Sequence, residues 1–456
     1  MTKPLASLTD FDLHKRDFGP EFIWGVSTAA YQIEGAHDSN DKGESIWDRF
    51  TLNTKNIHLG QNGQKACDFY NRYKEDILLM RSMNIRHFRF SLSWSRIMPD
   101  GQGTLSTAGI DFYNRVIDFC LACGITPWVT LYHWDLPQAL EEKGGWTNRD
   151  ILNWFETYAI HCGQLFGDRV KHWMVLNEPM VFTGAGYFLG AHAPGKKGLS
   201  NFLPSVHHAT LCQALGGRAL RKVVENACIG TTFSCSQISP YSSRKRDIKA
   251  AKKADALLNR LFIEPSLGLG YPSKDLKVLK RLAKYQKPGD EKNMVFDFDF
   301  IGIQNYTREV IKYSFTVPYL RSKLVHATKR KVPTTLMDWE VYPKSIHTMI
   351  SKYNAYEGIN KLIITENGAA FEDKVVHGEV DDRLRLSYLQ AYIKEVYRAK
   401  KEGLRLDGYF VWTFTDNFEW AEGYRPRFGL VYNDFDTQKR IVKSSGKWYK
   451  EFLVDP

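Results

Sequence analysis

The segment His172-Trp173-Met174-Val175-Leu176-Asn177-Glu178-Pro179 passes from apolar to acidic to chain-turning within eight residues. An apolar run without polar alternation fits a strand buried on both faces, as a parallel sheet requires. Pro179 lacks a backbone donor and biases Glu178 toward an extended conformation, so the strand should stop there with the carboxylate at its rim. Seven further runs share this plan: FIWGVSTA from Phe22, IRHFRFSLSW from Ile85, ITPWVTLYHW from Ile125, ACIGTTFS from Ala227, FIGIQNY from Phe300, KLIITEN from Lys361 and LDGYFVWTF from Leu406.

Helical patterning fills several of the gaps. Phe69, Tyr73, Ile77, Leu78 and Met80 recur at close to a 3.6-residue period, which predicts a helix over 69–83. The stretches 111–123, 152–166 and 384–400 behave alike. Strand and helix alternating eight times predict a closed (β/α)₈ barrel, an α/β fold with elaborated loops. A doubly wound open sheet is the alternative, but no GxGxxG or Walker A sequence follows any strand. No repeat or linker divides the chain, so residues 1–456 read as one barrel domain with a lead-in over 1–20.

The composition narrows the class. Hydrophobic residues at 43% and charged residues at 25% are ordinary for a globular chain, whereas the aromatic share of 14% is high and suits either core packing or sugar faces. A formal charge of +11 raises nucleic-acid binding as a possibility. The basic stretches, one from Lys312 to Lys331 and one running Arg244-Lys245-Arg246 to Lys253, lack an interleaved aromatic motif and read as solvated surface. The seven cysteines follow no secreted spacing, and Cys120 with Cys123 fits a buried reduced pair. No apolar leader or membrane-length run is present, so the expectation is a cytoplasmic chain without a membrane or nucleic-acid partner.

Two strand ends carry a glutamate just before a turning residue: Asn177-Glu178-Pro179 and Thr365-Glu366-Asn367-Gly368. In a barrel both open onto the C-terminal face. Gln32, Arg89, His133, Trp134, Tyr306 and Trp412 lie at other strand ends, with Glu419 and Trp420 beyond the last. A glycosidic bond needs a proton for its departing oxygen and negative charge beneath an oxocarbenium-like carbon, which two carboxyl groups supply. Arg89 and Tyr306 are suited to keep Glu366 ionised, and that charge would favour a protonated Glu178.

These residues resemble glycoside hydrolase family 1, the β-glucosidase family, from FIWGVSTAAYQIEGA near residue 22 to the C-terminus. RFSLSWSRIMPDG, TLYHWDLPQAL, WMVLNEP, GAHAPG, ITENG, WTFTDNFEWAEGY and PRFGLVYNDF carry the likeness. The resemblance implies a retaining double displacement on a small β-glycoside or oligosaccharide, with no metal or organic cofactor. It assigns the acid/base role to Glu178 and the nucleophile role to Glu366. It places Gln32, His133, Asn177, Glu419 and Trp420 around the glycone hydroxyls, Trp412 beneath that sugar and Trp339 beneath the leaving group. Tyr306 joins the binding set, and Arg89, Trp134 and Phe428 support it.

The sixth strand departs from the family's usual NYYTR, with Gln304 standing where asparagine is common; Tyr306 keeps its place, and Gln304 is not counted in the expected site. The Glu419-Trp420 pair, in place of the Ser and Lys groups of phospho-sugar relatives, implies an unphosphorylated glycone. A sugar-binding protein on an inactive barrel and a transglycosidase are the competing readings. Choice among glucose, galactose and fucose, and the oligomeric state, stay open.

Overall fold

The structure is a computed structural model that describes residues 11–454. Eight parallel strands close a barrel: β1 (Ile23–Ser27), β2 (His87–Ser91), β3 (Thr126–Tyr132), β4 (His172–Asn177), β5 (Cys228–Ser234), β6 (Phe300–Gln304), β7 (Leu362–Asn367) and β8 (Leu406–Trp412). Their order around the barrel is the chain order, with β1 pairing both β2 and β8. Each strand falls inside one of the eight apolar runs, so the (β/α)₈ reading holds.

The predicted helices appear as Phe69–Ser82, Thr107–Ala122, Ile151–Phe166 and Arg383–Lys401. The second starts earlier than its apolar period suggests because Ser106 caps it, its hydroxyl accepting from the Gly109 N–H at 3.1 Å. Of the expected lead-in, residues 1–10 lie outside the described residues. The rest forms a short turn, Lys15–Phe18, with Phe11 against Trp448 and Phe452 and Phe18 against Trp24.

The barrel's interior is divided along its axis. Toward the N-terminal ends of the strands it is filled by Trp128, Met174, Phe300, Ile363 and Phe410, an apolar plug that excludes water. Toward the C-terminal ends the inward positions turn polar. Ser27 pairs with Arg89, Asn177 with Thr232, Ser234 with Gln304, and Gln304 with Glu366. The register therefore lifts Arg89, Asn177, Gln304 and Glu366 to one end.

Outside the barrel, strands Gln237–Pro240, Arg308–Tyr313 and Ser322–Leu324 form a small sheet beside the helix Lys245–Asp255. Ala250, Ala251 and Ala254 of that helix pack against Ile311. Most of the basic side chains at 244–253 and 312–331 are exposed, as their charge pattern suggests, but Arg330 is drawn inward by Glu340. All seven cysteines are unpaired and six of them are buried. Among the described residues no helix is long and apolar enough to cross a membrane.

Candidate active site

A cavity of about 300 Å³ opens at the C-terminal ends of the strands, at the lower end of the range for small-molecule sites. Its lining includes Glu178, Glu366, His133, Trp134, Tyr306, Trp339, Trp412, Glu419, Trp420 and Phe428. Gln32, Asn177 and Arg89 stand immediately behind that wall. Arg89 donates to Glu366 and to Asn177, Asn177 meets His133 Nε2 at 3.0 Å, and Gln32 Nε2 meets Glu419 Oε2 at 3.3 Å. All thirteen expected residues thus lie at the cavity or one contact from it.

Both glutamates are buried, and their surroundings differ. Glu366 receives Arg89 Nη1 and Gln304 Nε2 on Oε1, the latter at 2.6 Å, and the Tyr306 hydroxyl on Oε2 at 2.6 Å. Burial pushes its carboxyl upward from the ordinary range, while the Arg89 charge and the hydrogen bonds from Tyr306 and Arg89 pull it back. Glu178 is pushed well above the ordinary range by burial and then by the charge of Glu366, against weaker opposition from Ser234 and Arg89. The proton therefore prefers Glu178.

The backbone at Glu178 departs from expectation. It is not extended: φ is 43° and ψ is 64°, in the left-handed region. The helix Pro179–Tyr187 starts at once, with proline at its first position, where a missing donor costs nothing. The Glu178 N–H is meanwhile held by the Thr232 carbonyl at 3.0 Å. A strand must become a helix across one residue, and the left-handed conformation makes that joint. Trp134 and Trp420 also have positive φ, 79° and 51°, and backbone strain of this kind collects at functional sites.

Asn367-Gly368 also differs from a simple turn. Asn367 is still within β7, fixed by the Tyr409 hydroxyl at 2.6 Å. A Cβ at position 368 would lie 1.7 Å from the Trp412 carbonyl oxygen. The glycine is there because the ends of β7 and β8 approach too closely for any side chain.

Buried polar atoms at the cavity without a partner among the described residues include Gln32 Oε1, His133 Nδ1 and Gln304 Oε1, besides His192 Nδ1. Because Asn177 Nδ2 donates to His133 Nε2, the ring's proton belongs on Nδ1, and burial with the nearby Arg89 charge keeps the imidazole neutral. One unfilled donor and two unfilled acceptors suit a ligand rich in hydroxyl groups. Trp412 packs with Ala29, Ala370 and Phe428, while Trp420 lies 4.6 Å from the Trp134 ring, giving the cavity flat apolar walls. Glu419 is raised to about 8 by burial and by Glu366.

Sequence reasoning missed several lining residues. Gln304, set aside as a departure, joins Glu366 to Asn177 Oδ1 at 2.7 Å; its place at a strand end was the available signal. Ser234 ends β5 in the same way. His192, Met337 and Glu309 also line the cavity; His192 lies within GAHAPG, whereas Met337 and Glu309 come from a loop and an outer strand where no local pattern marks them.

The family model described as Glycosyl hydrolase family 1 matches residues 14–455. A 1,4-beta-D-glucan glucohydrolase of Thermotoga neapolitana is 42% identical over 440 residues, 96% of this chain and 98% of the relative. Beta-glucosidase A of Thermotoga maritima is 41% identical over 443 residues, 97% of this chain and 98% of its own length. A solved structure of beta-glucosidase from Thermotoga maritima in complex with deoxynojirimycin matches at a TM-score of 0.91 with 41% identity, covering 95% of this chain and 97% of that one. With the barrel and its paired carboxyls in place, this likeness across nearly the whole length shows that the chain belongs to glycosyl hydrolase family 1.

Proposed function

We propose that the protein is a retaining β-glucosidase that removes terminal, non-reducing β-D-glucosyl residues from short oligosaccharides and glucosides, cellulose fragments included. The observation that carries this reading is the asymmetric pair: Glu366 gripped by Arg89, Gln304 and Tyr306, facing a Glu178 without such a cradle, whose carboxyl is pushed well above the ordinary range by burial and the Glu366 charge. In this reading Glu178 donates its proton to the glycosidic oxygen as that bond breaks, and the Glu366 carboxylate closes on the anomeric carbon. Esterification removes the charge of Glu366, the second cause of Glu178's elevation. Glu178 then becomes the base that takes a proton from water, and the ester is cleaved.

The remaining residues hold the sugar. Gln32, His133, Glu419 and Trp420 meet the glycone hydroxyls, Asn177 meets the 2-hydroxyl, and Trp412 lies beneath the ring. Tyr306 and Arg89 keep the nucleophile ionised, Trp134 and Phe428 shape the wall, and Trp339 lies beneath the leaving group. The whole chain acts as one catalytic domain in this reading. Seven unpaired cysteines suit a reducing, cytoplasmic setting.

Release of p-nitrophenol from its β-glucoside tests the assignment. Glu366→Ala should lower the rate by about 10⁴-fold or more, and azide should restore it while giving the α-glucosyl azide. An inactive parent, or a rescued variant that yields the β-azide, refutes it. The rate should fall on the acid side as Glu366 gains a proton and on the alkaline side as Glu178 loses one.

A further inference from the structure

We propose that Glu309 selects the leaving group, forming hydrogen bonds with the hydroxyls of a second sugar ring held against Trp339; this rests on the glycosidase reading above. Glu309 lies on the outer strand Arg308–Tyr313, where successive side chains face opposite ways. Arg308 is turned to Glu340, with Nε and Nη2 at 2.7 and 2.9 Å from its two oxygens, and lies over the Tyr342 ring at 3.9 Å. Its neighbour Glu309 faces the other way and lines the active-site cavity beside Thr307, Met337 and Trp339.

The carboxyl is uncommitted there. The backbone of Glu309 belongs to the ladder with Gln237–Pro240, but among the described residues its side chain makes no hydrogen bond or ion pair. Arg330, the cation whose charge acts on it, is taken by Glu340 at 2.8 Å, and the Thr307 hydroxyl is turned to the Glu340 carbonyl at 2.9 Å. A half-buried carboxyl without a protein partner, held in place by a doubly anchored neighbour, keeps hydrogen-bonding capacity that a ligand can take over from water. Burial raises it to about 7, so near neutrality it both accepts and donates, as vicinal hydroxyls do. A flat aryl leaving group can stack on Trp339 but offers this carboxyl no hydroxyl.

Glu309→Leu and Glu309→Gln separate these possibilities. The readout is kcat/KM for cellobiose divided by kcat/KM for p-nitrophenyl β-glucoside. Glu309→Leu should lower that ratio about ten- to a hundredfold with the aryl substrate unchanged, which also shows an intact fold; Glu309→Gln should recover most of the loss. An unchanged ratio, or equal losses on both substrates, overturns the assignment. So does a preference for an ammonium-bearing leaving group that Glu309→Leu abolishes. A parent that cleaves neither substrate refutes the glucosidase reading and leaves the carboxyl to calorimetry: cellobiose should then bind Glu309→Leu more weakly than the parent while glucose binds both alike, and equal binding of cellobiose overturns the proposal.

Discussion

Two loops bring tryptophans to the cavity, and each is fastened by a carboxylate that grips two cations, at different depths. Beyond β8, the loop carrying Glu419 and Trp420 is tied by Asp416, which meets Lys443 at 2.6 Å, Arg427 at 2.8 Å and the Gly429 N–H at 2.9 Å. Asp416 and Lys443 are both 0% exposed, and Arg427 is 17% exposed. On the opposite side the Trp339 segment ends at Glu340, held by Arg308 and Arg330, whose side chains are 23% and 14% exposed. Burial pushes both carboxyls upward, and in each case the cations outweigh it, so both stay below the ordinary range. In the proposed reading one of the two cations is sealed under the loop that meets the glycone, whereas both are part-solvated under the segment that meets the leaving group. A sealed ion pair is rigid and costly to break, while a part-solvated one tolerates change. That contrast suits a cavity that fixes one sugar strictly and accepts varied partners for it.

Removing the deep cation should have the largest effect. Lys443→Met strands Asp416 and Asp373 without their ammonium and should cost about 3–5 kcal/mol of stability. Chemical denaturation measures it, and a loss no larger than that of Glu340→Gln would end the contrast. Next comes Tyr306, which stands between the two sides, donating to Glu366 at 2.6 Å with its ring 5.3 Å from Trp339. Tyr306→Phe removes a donor that stabilises the ionised nucleophile, so the Glu366 pKa rises and the acid limb of the pH–rate profile should move to higher pH. The accompanying loss in kcat/KM is about 1.5–3 kcal/mol, and a limb that stays in place would detach Tyr306 from the nucleophile.

Glu340→Gln should cost about 1–2 kcal/mol in the same denaturation experiment. Its kinetic signature should be a KM that changes with the leaving group while kcat for the glucosyl-transfer step holds. Smallest is Trp339→Ala, expected to raise KM for aryl glucosides by about 1 kcal/mol in binding and to leave inhibition by glucose alone unchanged. Weakened glucose inhibition would mean that the two sides of the cavity are not separable.

The barrel was legible because its signal is local. Eight apolar runs without polar alternation have few other ways to be buried, and each produced a strand. The site residues were legible for a related reason: Arg89, Glu178 and Glu366 sit where apolar runs give way to polar residues, and parallel register gathers those points at one end. What the sequence concealed is relational. Nothing in QNYTR announces that Gln304 will span from Asn177 to Glu366, because the partners lie 127 and 62 residues away. Glu309 follows no apolar run, so its orientation depends on Arg308 finding Glu340. Local rules also misjudged two backbones. The proline rule predicts an extended Glu178, but the immediate start of a helix decides its conformation. The Asn-Gly pair suggests a turn, but contact with the Trp412 carbonyl sets the requirement for Gly368.

The left-handed backbone at Glu178 has an evolutionary consequence. Any non-glycine residue held there is strained by about 1–2 kcal/mol, and this one also keeps a carboxyl out of water. Selection for folding alone therefore does nothing to preserve the acid and favours its replacement by glycine. In the proposed reading only the need for turnover maintains it. A duplicated copy released from that need would lose its chemistry long before its shape, and would persist as an intact barrel that still holds sugar.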